Sequence, residues 1–65
     1  MGQSFAPELT RLLREAGCWF VRHGRGDDDI WHSPISGVTF PVDNKILSRR
    51  TANGVLKQAG LAKRF

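Results

Sequence analysis

The sequence predicts an α+β fold in which two helices flank a three-stranded antiparallel sheet, in the order α-β-β-β-α. Two apolar stripes at helical spacing, one near each end of the chain, predict the helices. Three short apolar stretches lie between them, and their connections are too short for parallel crossovers. We expect both helices to pack on one face of the sheet, and residues 1–65 to form a single domain.

The first helix is predicted by apolar residues at positions i, i+3, i+4 and i+7. These residues are Leu9, Leu12, Leu13 and Ala16. Ser4 is a possible N-cap, and Pro7 fits the first turn, where its missing N–H costs little. Gly17 fits a left-handed stop after the helix, with Cys18 folding back towards Leu13 in a Schellman motif.

The second helix has the same design. Its apolar stripe is formed by Val55, Leu56 and Ala59. Ser48 or Thr51 is the expected N-cap. Gly60 is expected to end this helix in the left-handed conformation, as Gly17 ends the first helix. Leu61 would then fold back to contact Leu56.

The three strands are predicted at residues 18–21, 29–33 and 38–42. In the third strand, apolar residues alternate with polar ones, which indicates one buried face. Pro41 cannot donate a ladder hydrogen bond, so it is expected either on an edge strand or at the end of its strand. Trp19 and Phe20 are neighbours on the first strand and point to opposite faces, so we expect one of the two to stay partly exposed.

Composition excludes several classes of protein. The single cysteine, Cys18, leaves no internal disulfide and no cysteine-based zinc site. No apolar run approaches the roughly 18 residues of a membrane span, and no signal-peptide core follows the N-terminus. We therefore expect a cytoplasmic protein.

The second half of the chain is basic. The chain carries a net charge of +4, and no acidic residue follows Asp43. A segment in which every charged residue is basic is typical of a phosphate-binding surface or of a surface that docks an acidic protein. The basic residues in it are Lys45, Arg49, Arg50, Lys57, Lys63 and Arg64.

The most unusual stretch is residues 22–34, RHGRGDDDIWHSP, which joins a basic turn to three aspartates. Gly24 and Gly26 allow a tight turn or close approach of a ligand. The stretch is read either as a functional site or as a solvated polar turn. Residues 27–29 could attract a hard cation, but consecutive residues on a strand diverge and the spacing is not that of an EF-hand, so we expect no metal.

Three segments, GRGDDDIWHSP, FPVD with the basic residues after it, and TANGVLKQAGL, resemble the HicA family of bacterial toxins. The resemblance runs from the first helix through Leu61, and LKQAGL is its most specific part. It implies a double-stranded-RNA-binding-like fold, an mRNA endoribonuclease activity without a cofactor, and neutralisation by a HicB-type antitoxin.

The resemblance also implies where the chemistry occurs. Members of the family carry a catalytic histidine just after the glycine turn, and that column falls on Asp28. Metal-free RNA cleavage needs proton transfer near neutral pH, which suits histidine better than aspartate. Thus either Asp28 is an inactivating substitution, or the chain is a natural variant that uses another group for proton transfer. The two histidines of the chain, His23 and His32, are the candidates for that group.

In this reading, six basic residues contact RNA phosphates, and the protein is an endoribonuclease impaired at Asp28. They are Arg22, Arg25, Lys45, Arg49, Arg50 and Lys57. One alternative is a non-catalytic RNA-binding module of the same fold. Another is a protein-interaction role, in which the basic face docks an acidic antitoxin.

Overall fold

A computed structural model describes residues 4–65 and confirms the predicted α-β-β-β-α order. The elements are α1 (Ala6–Glu15), β1 (Trp19–His23), β2 (Asp28–His32), β3 (Thr39–Asp43) and α2 (Arg49–Gln58). The strands form one antiparallel sheet in the order β1-β2-β3. Pro41 therefore lies on an edge strand, as predicted. Within the described residues, neither helix has the length and apolar character needed to cross a membrane.

The two faces of the sheet differ in their surroundings. Trp31 on β2 pairs with Phe20 on β1 and Phe40 on β3, and Trp31 and Phe40 are buried in the core. We call this side the helix-covered face. Alternate residues point to the other side, the open face, where Trp19, His32 and Thr39 form a cross-strand row.

The core forms where the apolar stripes of both helices meet the helix-covered face. Burying these side chains provides the main stabilisation of so short a chain. The fully or nearly fully buried members are Leu9, Leu13, Phe40, Val42, Ile46, Ala52, Leu56 and Ala59.

Both helices end in the predicted Schellman motif. After α1, Gly17 has φ +93° and the Cys18 N–H donates to Leu13 O at 2.9 Å. After α2, Gly60 has φ +81° and the Leu61 N–H donates to Leu56 O at 2.8 Å. These left-handed positions favour glycine because a Cβ would crowd the backbone.

The helix N-termini are only partly as predicted. Ser48 caps α2, because its Oγ accepts a hydrogen bond from the Thr51 N–H at 3.4 Å. The N-cap residue of α1 is Phe5, so the expectation that Ser4 takes this position is wrong. Instead, Ser4 Oγ accepts from the N–H groups of Ala6 and Ile46, which ties the start of α1 to the loop before α2.

The end of α2 is fastened to the β2–β3 turn. The buried Ser33 Oγ donates to Ala59 O at 2.6 Å, and Ser36 Oγ donates to Gln58 O at 2.7 Å. The backbone also approaches closely here, since a Cβ on Gly60 would lie 2.9 Å from Ile35 Cγ2. This end of the sheet is therefore a rigid junction that satisfies carbonyls left free at the helix terminus.

Candidate functional site

The β1–β2 hairpin lies at the opposite end of the sheet from that junction. Its turn is closed by the Asp28 N–H donating to Arg25 O at 3.1 Å and by the Gly24 N–H donating to Asp28 O at 2.7 Å. Gly26 has φ +58°, which an L side chain rarely adopts. A Cβ on Gly24 would lie 3.1 Å from Ile30 Cδ1. Gly26 thus adopts the left-handed conformation that the turn requires, and Gly24 leaves room for the side chain of Ile30.

Asn44 attaches this hairpin to the end of β3. Its backbone N–H and its Nδ2 both donate to Asp27 O, the former at 3.2 Å. Directly after it, the Lys45 N–H donates to Asp43 Oδ1 at 3.0 Å. These contacts bring the glycine turn and the start of the basic segment together. Sequence reasoning missed Asn44, whose only local signal is its place directly after a strand.

Asp28 is the first residue of β2 and is half-buried. It pairs with Asp43 across the β2–β3 ladder, so the two carboxylates share the open face at the hairpin end of the sheet. Asp29 points to the helix-covered face, which is the divergence of neighbours expected along a strand. The position is thus accessible from the open face, and its immediate cross-strand neighbour is acidic.

Neither histidine is adjacent to Asp28. The His23 ring lies on the helix-covered face, where Nδ1 is 2.9 Å from Asp29 Oδ1. His32 shares the open face with Asp28 but stands four residues further along β2, about 13 Å away. Its Nδ1 is 2.9 Å from Thr39 Oγ1.

Both aromatic residues at the start of β1 are exposed, so the predicted exposure of an aromatic ring is confirmed and extends to the second ring. Trp19 is 50% exposed on the open face, and its ring centroid is 4.8 Å from that of His32. Phe20 is 41% exposed on the helix-covered face, and its ring meets those of His23 and Trp31 edge-on. The helices cover the middle of the sheet but not its β1 edge.

The structure divides the six predicted phosphate contacts into groups. Arg22 pairs with Ile30 on the open face, Arg25 lies in the glycine turn, and Lys45 follows β3, so these three surround the hairpin end. Arg49 and Arg50 form the first turn of α2, after the loop that contains Lys45. Lys57 is in the last turn of α2, beside the rigid junction at the other end of the sheet.

The carboxylates of residues 27–29 do not converge on one face of the sheet. Among residues 4–65, no group of three or more histidine, cysteine, aspartate or glutamate side chains is arranged to hold a metal ion. The geometric reason is the alternation along β2, which sends Asp28 and Asp29 to opposite faces.

The fold and the hairpin define a small α+β protein with a charged, glycine-containing turn at one end of an antiparallel sheet. Residues 6–61 match the family described as HicA toxin of bacterial toxin-antitoxin. The chain therefore belongs to the HicA toxin family, and this membership implies an antitoxin partner. No curated protein and no solved structure shows significant similarity to the chain.

Proposed function

We propose that this protein has the fold of a HicA-type mRNA endoribonuclease that works without a metal ion. In this proposal, residue 28 is the position of the side chain that transfers protons. The observation that carries this proposal is the placement of Asp28. It is reachable from the open face, next to the glycine turn and close to Arg22, Arg25 and Lys45. A phosphate drawn to these cations would bring its ribose 2′-OH to residue 28.

The substitution at this position impairs the reaction. Imidazole ordinarily titrates near 6.5 and can both accept and donate a proton at neutral pH, whereas carboxyl groups of aspartate titrate near 3.9. A carboxylate can accept the 2′-OH proton, but as a class carboxyl groups are poorer proton donors to a leaving 5′-oxygen at neutral pH than imidazole. Asp43 opposite it adds a second negative charge on the same face, which repels the phosphate.

RNA affinity in this proposal comes mainly from phosphates. Arg22, Arg25 and Lys45 make the contacts nearest the reacting group, and Arg49 and Arg50 extend the basic surface along the start of α2. These contacts position the strand and carry no sequence information. The partner would be a HicB-type antitoxin, an acidic surface of which would compete with RNA for these cations. Co-expression of this chain with its HicB-type antitoxin should give a stable complex on co-purification.

The decisive experiment restores the imidazole. Asp28→His, purified without antitoxin, should cleave single-stranded RNA in the presence of EDTA, about 10²–10⁴-fold faster than the parent chain. Asp27→His is the matched control, because it makes the same chemical change one residue away in the exposed turn. This control should stay as slow as the parent chain.

Two outcomes would change the assignment. If Asp28→His binds RNA with a steep salt dependence but does not cut it, the protein is a non-catalytic RNA-binding module. If the Asp28→His chain neither binds nor cuts RNA, the proposed function is wrong.

A further inference from the structure

The open face carries an aromatic side chain that is held in place yet left half-exposed. Trp19, His32 and Thr39 face one another across the three strands. The His32 ring lies 4.8 Å from the Trp19 ring at an interplanar angle of 43°, and its Nδ1 is hydrogen-bonded to Thr39 Oγ1 at 2.9 Å. Trp19 is thus supported on one side while half of its surface remains open to solvent.

This row shares a face with the proposed reacting position. Along β2, Asp28, Ile30 and His32 all point to the open face, so the row lies about 13 Å from residue 28. Arg22 is between them, because it pairs with Ile30 on the same face. An extended strand of RNA crossing the open face would meet an aromatic ring, then a guanidinium group, and then residue 28.

We propose that Trp19, braced by His32, is a stacking platform for one unpaired base of single-stranded RNA and directs the strand along the open face towards residue 28. The inference rests on the proposed function and adds the path of the substrate and its single-stranded character. Bases in a duplex are already stacked and offer no free face, whereas a base in a single strand can stack on an exposed indole. Trp19 acts here as a positioning residue.

The surroundings of Trp19 favour RNA over a protein partner. A nucleotide offers a flat base and a phosphate, and here the indole lies among an imidazole, a hydroxyl group and the Arg22 guanidinium. Arg22 is exposed on the same face and is complementary to a phosphate. Asp28 and Asp43 lie at the other end of this face, so the charge nearest Trp19 is that of Arg22, which favours an anionic strand. Docking of the antitoxin on Trp19 becomes an outcome of the test.

The parent chain is suited to a binding experiment, because its impaired reaction leaves the RNA intact. The probe is a fluorescently labelled, unstructured RNA oligonucleotide, titrated at several salt concentrations. Trp19→Ala should weaken binding roughly 5- to 150-fold, the range expected from losing one base stack, whereas Trp19→Phe should keep most of the affinity. Phe20→Ala is the matched control, since it removes a similarly exposed ring from the other face and should bind like the parent.

A merely structural role would not produce the expected salt and fluorescence results. Trp19→Ala should leave the slope of log affinity against log salt unchanged, whereas Arg22→Gln should reduce it by about 0.7. RNA should quench the fluorescence of the parent chain but not that of Trp19→Phe, because the remaining Trp31 is buried.

Three results separate the possible failures. Equal RNA affinity of Trp19→Ala and the parent chain would overturn the stacking role and leave the proposed function standing. Loss of antitoxin binding by Trp19→Ala with unchanged RNA affinity would show that the residue docks protein, which also overturns it. Absence of RNA binding by both the parent chain and Asp28→His would overturn the proposed function itself.

Discussion

His23 Nδ1 lies 2.9 Å from Asp29 Oδ1, on the face of the sheet opposite to Asp28. The pairing joins the two strands next to the glycine turn. It also separates the roles of adjacent aspartates, since Asp29 contacts a histidine and Asp28 faces Asp43. A proton donated by His23 would therefore have to pass around the edge of the sheet to reach a substrate over Asp28.

This separation predicts the behaviour of His23 in an active chain. In the Asp28→His background, His23→Ala should leave the rate of RNA cleavage nearly unchanged, because its imidazole faces away from the reacting position. The check is a single-turnover cleavage assay of both variants over a range of pH. A collapse of the rate, with RNA affinity retained, would place His23 in the reaction and contradict the assignment of faces.

The positions of two lysines give a second prediction. Lys45→Gln should weaken RNA binding and lower the salt slope by about 0.7, because Lys45 adjoins the hairpin end. The sequence also predicts that Lys57 contacts phosphate, but this residue lies at the far end of α2. We therefore expect Lys57→Gln, which removes the same charge, to leave the slope unchanged. Titrations of the two variants side by side provide the measurement. Equal losses would mean that RNA runs along the whole of α2.

The close approach at Gly60 can be tested against a glycine in open space. Gly37 and Gly60 both have positive φ, but a Cβ on Gly37 would meet nothing within 4 Å. Gly37→Ala should therefore lower the free energy of unfolding by about 1–2 kcal/mol through backbone strain alone. Gly60→Ala should cost more, because its methyl group would also collide with Ile35.

Urea denaturation of the two alanine variants measures this difference. Adding Ile35→Ala to Gly60→Ala should recover part of the loss, since Ile35 is exposed and its side chain makes the closest contact. A Gly60→Ala variant no less stable than Gly37→Ala would argue against the rigid junction.

The exposed face of α1 gives a pH-dependent prediction. Arg11 donates to the carboxylates of Glu8 and Glu15, and its hydrogen bond to Glu8 lowers the pKa of that carboxyl. A lowered folded-state pKa stabilises the fold above the ordinary value of about 4.3, and that stabilisation is lost as the pH falls through the folded-state pKa. Arg11→Gln should therefore lower the melting temperature at pH 7, and the difference from the parent chain should shrink below pH 4.3. A difference that does not change with pH would show that the ion pair contributes nothing.

Local features of the fold could be predicted from the sequence, and contacts between distant segments could not. Gly17 and Gly60 each act on the helix turn directly before them, so their role follows from a few neighbouring residues. By contrast, Ser33 bonds to Ala59 and Asn44 to Asp27, across 26 and 17 positions of the chain. Nothing in the local pattern around Ser33 identifies a helix terminus as its partner.

In the candidate site, too, local geometry could be predicted from the sequence and tertiary placement could not. The alternation along β2 places Asp28 and Asp29 on different faces, and this follows from strand geometry alone. The exposure of both Trp19 and Phe20 depends on how far the helices extend over the sheet, which is a tertiary property. The separation of Lys57 from the hairpin likewise depends on the direction in which α2 crosses the sheet.

The two serines at the end of α2 have a consequence for how such a toxin can change. Ser33 and Ser36 secure the helix at the end of the sheet remote from residue 28. Under the proposed function, a change at position 28 would replace the reacting group without removing these two hydrogen bonds. The residue that sets the chemistry and the residues that hold the helix in place can therefore mutate independently of each other.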